Sequence, residues 1–98
     1  MLTSKQRSYL SKLAASLNPT VMLGKEGASE AVAQALKAEF SHRELVKLRF
    51  VSSKDERDDL AAALAASSNA ELVRTIGNVA IFYKQANDPE KRTIQLPK

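Results

Sequence analysis

The stretch Thr20-Val21-Met22-Leu23-Gly24-Lys25-Glu26-Gly27-Ala28-Ser29-Glu30 decides how this chain is built. Thr20 to Leu23 is a short apolar run bounded by turn residues, which reads as a strand. Its apolar residues fall on both faces, and that predicts a buried, central position in a sheet. Downstream, Val32, Ala35, Leu36 and Phe40 recur at helical spacing. Ser29 is placed to cap that helix, and Glu30 suits its first turn. A strand therefore runs into a glycine-bracketed basic loop, and a helix leaves it. Gly24 and Gly27 allow positive φ or the close approach of another backbone. The start of the following helix offers unpaired N–H groups and a partial positive charge, and Lys25 adds a full one. This is the chemistry of a phosphate cradle. The same residues would also serve as an ordinary tight strand-to-helix turn. The loop is neither a Walker A motif nor a three-glycine dinucleotide fingerprint, because Lys25 lies between the glycines and no Gly-Lys-Ser/Thr end follows.

Outward from this stretch, Thr3-Ser4-Lys5-Gln6 reads as a capping box. Tyr9, Leu10, Leu13, Ala14 and Leu17 then form a helical apolar stripe, with Lys5, Arg7 and Lys12 off it as a solvated face. Pro19 disfavours helical geometry at Asn18, so the first helix is expected to run up to Asn18. Beyond the second helix, which dissolves around Ser41-His42-Arg43, residues 44–51 alternate over their middle. Val46, Leu48 and Phe50 share one face, and Lys47 and Arg49 share a basic outer face. Ser52 or Ser53 opens a third helix with Asp55, Glu56, Asp58 and Asp59 near its start, where carboxylates favour the dipole. Leu60, Leu64 and the surrounding alanines give it a thin apolar face, and Ser67-Ser68-Asn69 closes it. Gly77-Asn78 between Leu72–Ile76 and Val79–Tyr83 reads as a tight hairpin turn. Ile94 and Leu96 alternate in a polar tail, residues 86–98, which suggests a docked extended segment.

The order is α-β-α-β-α-β-β. It predicts one α/β (α+β-like) domain over residues 1–98, with helices packed on a four-stranded mixed sheet. The chain is 98 residues long and 44% hydrophobic, enough for one core. It carries no Cys, which rules out thiolate metal sites and disulfides and fits a reducing, cytoplasmic location. The polar N-terminus has no signal-peptide character, and the longest apolar run, Leu60 to Ala66, is far short of a membrane span.

Net charge is +4 and unevenly spread: residues 1–54 hold nine basic and four acidic side chains, residues 55–98 six and seven. A basic first half suits a polyanionic partner, although a solvated surface accounts for it equally well. Catalytic chemistry finds little support. The only histidine, His42, makes no typical zinc site without Cys, and no nucleophile-elbow motif points to a Ser–His–Asp triad. The carboxylates at the start of the third helix read as structural. No enzyme activity, cofactor or small-molecule substrate is expected.

Six segments together resemble a known family, the CRM (chloroplast RNA splicing and ribosome maturation) domain in its single-domain bacterial YhbY-like form. Val21 to Gly27 resembles its "vGKxGl" signature, Thr3 to Leu17 its opening helix, and Glu44 to Leu48 its "ELvKv" strand. Val73 to Gly77 and Phe82-Tyr83-Lys84 are similar to its "vqxiG" and "lYR" stretches, and Lys91 to Pro97 to a frequent ending of the short bacterial members. The departures are Glu26, Ala28, Arg43 between His42 and Glu44, and Lys84. The resemblance implies a helix-first fold with a four-stranded mixed sheet, similar to the C-terminal domain of translation initiation factor three. It also implies RNA binding through the loop Gly24, Lys25, Glu26 and Gly27, much as the GXXG loop of KH domains clamps a nucleic-acid backbone.

These readings combine into an expected function: an RNA-binding factor in assembly of the large ribosomal subunit, acting as a monomer, with large-subunit precursor RNA as partner and no membrane partner. Lys12, Lys37, Arg43, Lys47 and Arg49 are the candidates for extending the loop's footprint. The alternatives are a module docking on ribosomal proteins, motivated by the acidic third helix, and an intron-splicing factor.

Overall fold

The computed structural model describes residues 2–24, 30–51 and 57–98. The elements follow the expected order: α1 (Ser4–Ala14), β1 (Val21–Leu23), α2 (Glu30–Glu39), β2 (Leu45–Phe50), α3 (Arg57–Ser67), β3 (Glu71–Ile76) and β4 (Val79–Tyr83), then a single 3-10 turn at Pro89–Lys91. The sheet is mixed, in the order β1-β2-β4-β3. β1 pairs parallel with β2, as a strand–helix–strand crossover requires, and β4 pairs antiparallel with both β2 and β3.

Alternation along the strands builds two apolar layers, one on each face of the sheet. Val21, Leu23, Val46, Leu48, Phe50, Ala80 and Phe82 point to one face and pack under Leu36 of α2 and Ala61, Leu64 and Ala65 of α3. Leu45, Val73, Ile81 and Tyr83 point to the other, under Leu10 and Ala14 of α1, with Leu17 and the tail residues Ile94 and Leu96 against them. Burying a side chain such as Leu48 or Phe82 contributes about 1.5–3 kcal/mol. A tail that brings two more apolar side chains to the second layer is therefore part of the fold.

Local devices hold these elements in place. The Thr3 Oγ1 accepts the Gln6 N–H at 3.1 Å while Gln6 Oε1 accepts the Thr3 N–H at 3.0 Å, a complete capping box. The Gln6 amide Nε2 also donates to the Pro97 carbonyl at 3.0 Å, so one side chain ties both ends of the chain together. Asn69 turns the chain out of α3 at φ 56°, and Gly77 takes φ 56° in the hairpin turn, where a side chain would be strained. A bulge between Leu72 and Arg74 shifts the β3–β4 register by one residue, so that Arg74, and not Val73, stands opposite Ile81, while Val73 still packs in the α1 layer.

Four expectations need correction. β1 is an edge strand, not a central one, and Met22 on its second face is 53% exposed. The apolar run on both faces was a poor guide because α1 stops short of covering β1. Helix α1 ends at Ala14, well before Pro19, because the chain turns at Ala15 and Ser16 and its last carbonyls find a partner elsewhere. Within the helical stripes, Ala35 of α2 is exposed, as are Tyr9 and Leu13 of α1 at 36% and 38%. The face of each helix that meets the sheet is narrower than the apolar stripe in its sequence.

Candidate nucleic-acid interface

One end of the sheet gathers three connections. β1 leaves through Gly24, β2 leaves through Val51, and β3 turns into β4 at Gly77-Asn78. Backbone hydrogen bonds stitch them together: the Val51 N–H donates to the Leu23 carbonyl at 2.8 Å, and the Phe50 N–H donates to the Asn78 carbonyl at 2.7 Å. Arg57 at the start of α3 donates from Nη1 to the Gly77 carbonyl at 2.7 Å. The stem of the glycine loop is thereby anchored to β2, and the hairpin turn to β2 and α3.

Gly24 is half-buried at this stem. Among the described residues Gly77 is the only glycine at positive φ, and nothing lies within 4 Å of where a Cβ on Gly24 would sit, its chain neighbours aside. The described part of the fold therefore does not itself require glycine at position 24. Lys25, Glu26 and Gly27, with Ala28 and the proposed cap Ser29, lie outside the described residues, as do Asp55 and Glu56. α2 begins at Glu30, directly after the loop, so its N-terminus stands at this same end of the sheet.

The five cations outside the loop fall into three places. Arg49 is exposed near the C-terminal end of β2, next to Met22 across β1 and Val79 across β4. Lys12 is exposed in the last turn of α1. Lys47 is half-buried, and its Nζ donates to the carbonyls of Ala14 and Leu17, both at 3.0 Å. The Ala14 carbonyl already accepts the Leu17 N–H, so Lys47 adds a charged donor there, at the negative pole of the helix. This structural task, absent from the sequence reading, reduces what Lys47 can offer a ligand. Lys37 and Arg43 lie at the other end of the sheet, at the close of α2 and before β2. Arg43 faces Glu39 at 3.6 Å. A six-residue strand is roughly 20 Å long, so these two lie at the far end of the sheet from Gly24.

The residue that sequence reasoning missed is Glu44. It is 2% exposed at the entry to β2. Its Oε2 accepts the Ala86 N–H at 2.8 Å, and its Oε1 accepts the Thr93 and Ile94 N–H groups at 2.7 and 3.0 Å. Burial pushes its carboxyl pKa up, but these backbone donors and the Thr93 hydroxyl more than offset that, and the net shift is downward. Glu44 and burial both push the Tyr83 phenol above its usual range, with burial the larger cause, against an opposing effect of Arg92. The acid-before-apolar pattern of Glu44-Leu45-Val46 was a visible signal, but its partners lie more than 40 residues away.

No group of three or more His, Cys, Asp or Glu side chains among the described residues could hold a metal ion. No described helix is long and apolar enough to cross a membrane.

The family model described as the CRS1 / YhbY (CRM) domain matches residues 2–84. A Bacillus subtilis protein named "Probable RNA-binding protein YqeI" is 34% identical over 98 residues, covering 99% of this chain and 100% of its own length. A Haemophilus influenzae protein named "RNA-binding protein" is 35% identical over 98 residues, covering 99% of this chain and 96% of its own length. The solution structure of the hypothetical protein SAV1595 from Staphylococcus aureus superposes with a TM-score of 0.83 at 31% identity, across 99% of this chain and 100% of that one.

Proposed function

The chain belongs to the CRS1 / YhbY (CRM) domain family, and on that footing we propose that it binds RNA through the glycine loop, as a factor in assembly of the large ribosomal subunit. The observation that carries this reading is Gly24. The described fold leaves the space of a side chain open there, at the mouth of a basic loop and beside a helix start. A missing Cβ that nothing inside requires is suited to the close approach of a ligand backbone from outside. Loop N–H groups and the first turn of α2 would hold a phosphate, and Lys25 would neutralise it. Arg49, exposed on the adjoining strand, extends the positive surface. The chain has two Tyr and three Phe, and Tyr83, Phe50 and Phe82 are buried, so recognition relies mainly on backbone and shape.

The test is a gel-shift or filter-binding series on a structured fragment of large-subunit ribosomal RNA. Log K is expected to fall with log salt by roughly 0.7 per phosphate contact on single-stranded segments. Lys25→Ala is expected to weaken binding and flatten that slope by about one contact. Salt-independent binding, or unchanged affinity in Lys25→Ala, would count against the loop. The assembly role is tested by crosslinking the protein to RNA in cells. Enrichment in large-subunit ribosomal RNA is the expected result, and reads spread over unrelated transcripts would refute it.

A further inference from the structure

The α1 face of the sheet carries an uncovered row at the glycine-loop end. Pairing aligns Met22 of β1 with Arg49 of β2, Arg49 with Val79 of β4, and Val79 with Ile76 of β3. The four residues stand side by side across all four strands. Met22 is 53% and Ile76 51% exposed, Arg49 is exposed and Val79 half-buried. Val51, just past β2, is 64% exposed. Thus three of the five large exposed hydrophobics among the described residues sit at this end of the sheet. α1 packs on the opposite half of the same face, over Leu45, Ile81 and Tyr83, and its C-terminal end reaches only as far as Lys47.

The row is apolar and cationic together. The neighbouring row holds Lys47, Ile81 and Arg74, with Arg74 exposed. Neither row contains a carboxylate. Among the described residues Arg49 and Arg74 make no salt bridge. At about 4.8 Å between strands, the row is roughly 14 Å long. It begins two residues before Gly24.

We propose that Met22, Arg49, Val79 and Ile76 form a platform for the unpaired bases of an RNA strand. Flat apolar bases lie on the Met22, Val79 and Ile76 side chains. The Arg49 guanidinium stacks on or between bases, a use for which its planar, weakly hydrated group is suited. Arg74 faces the phosphates of the same strand. The occupant is single-stranded RNA because the surface is at once apolar, cation-rich and free of acids. A duplex keeps its base faces stacked inside and presents phosphates, sugars and base edges, which leave exposed Met and Ile without a flat apolar partner. Roughly 14 Å of row accommodates two or three bases, the number that other four-stranded RNA-binding sheets take.

This proposal rests on the RNA-binding reading, and the experiment separates the two. The probes are a twelve-residue oligouridine and a twelve-base-pair RNA duplex, measured by fluorescence anisotropy against the full chain and Met22→Thr/Ile76→Thr. Threonine keeps strand propensity at two exposed positions, and matching circular dichroism melts establish that the variant folds. The double variant is expected to lose roughly five- to tenfold affinity for the single strand, the low end of base-stacking contributions, with duplex affinity and the salt slope unchanged. Equal losses on both probes, or no loss on the single strand, would overturn the platform while leaving RNA binding intact. Absence of binding by the unmodified chain to either probe would remove both readings. As a second measure, photocrosslinking with 4-thiouridine is expected to label the peptides containing Met22 or Ile76, and labelling confined to α2 or α3 would refute the placement.

Discussion

The Oε1 of Glu44 accepts the backbone N–H of Thr93 at 2.7 Å, across 49 positions of chain. With Ala86 and Ile94 donating as well, one buried carboxylate pins the chain both before and after the 3-10 turn. Ile94 and Leu96 are thereby set against the second apolar layer. The tail is thus fastened electrostatically at one point and by apolar contact along its length.

This latch makes stability depend on acid. The folded-state pKa of Glu44 lies below its ordinary value of 4.5, so the contribution is fully present above about pH 4.5. It is lost as pH falls from there through the lower folded value. Hydrogen exchange at the Ala86, Thr93 and Ile94 amides is expected to accelerate in that acid window ahead of the core strands. Glu44→Ala leaves three donors without their anion and is expected to cost about 3 kcal/mol, lowering Tm by 10 °C or more. Amides in the tail that exchange no faster at pH 3 than at pH 7, once corrected for intrinsic rates, would contradict the latch.

Lys47 is held by the end of α1 and is expected to contribute little to any contact with RNA. Lys47→Met keeps most of the buried stem but removes both hydrogen bonds to the end of α1. Urea unfolding is expected to show a loss of about 1–2 kcal/mol. RNA affinity at low salt, measured where the variant is fully folded, should change less than in Arg49→Met. The reverse ranking would mean that Lys47 releases the helix to reach a phosphate.

Substitution at Gly24 is expected to separate folding from binding. Because a Cβ there meets nothing within 4 Å and φ is not positive, Gly24→Ala is expected to change stability by no more than about 1 kcal/mol, and to raise it if anything. RNA affinity is expected to fall about tenfold, equivalent to about 1.4 kcal/mol, if a phosphate lies against that backbone. Urea midpoints and anisotropy titrations on the same samples check both halves. A variant that is destabilised and still binds normally would assign the glycine to folding instead.

Much of the architecture was legible because it is encoded locally. The period-3.6 stripes, the Thr3–Gln6 capping box, the alternation of Val46, Leu48 and Phe50, and the Gly77-Asn78 turn each depend on residues a few positions apart. Their order then restricted the fold to helices on a mixed four-stranded sheet. The candidate site was legible only in part. The glycine loop stood out by composition, yet the five cations assigned to its surroundings proved to lie in three separate places. Alternation correctly put Lys47 and Arg49 on one face but could not show that the end of α1 lies over Lys47 alone.

The sequence by itself determined which segments become helix, strand and turn, that the first half is basic, and that the loop opening at Gly24 joins a strand to a helix. Only the tertiary structure decided that β1 is an edge strand, that Glu44 holds the tail, and that Met22, Arg49, Val79 and Ile76 form one row. The reason is physical. Propensity and periodicity act over a few residues, whereas strand order, register and the pairing of a buried charge are set by which surfaces meet. Apart from the hairpin pair Ile76 and Val79, those meetings join positions 27 to 50 residues apart, where local pattern carries no information about which partner each side chain finds.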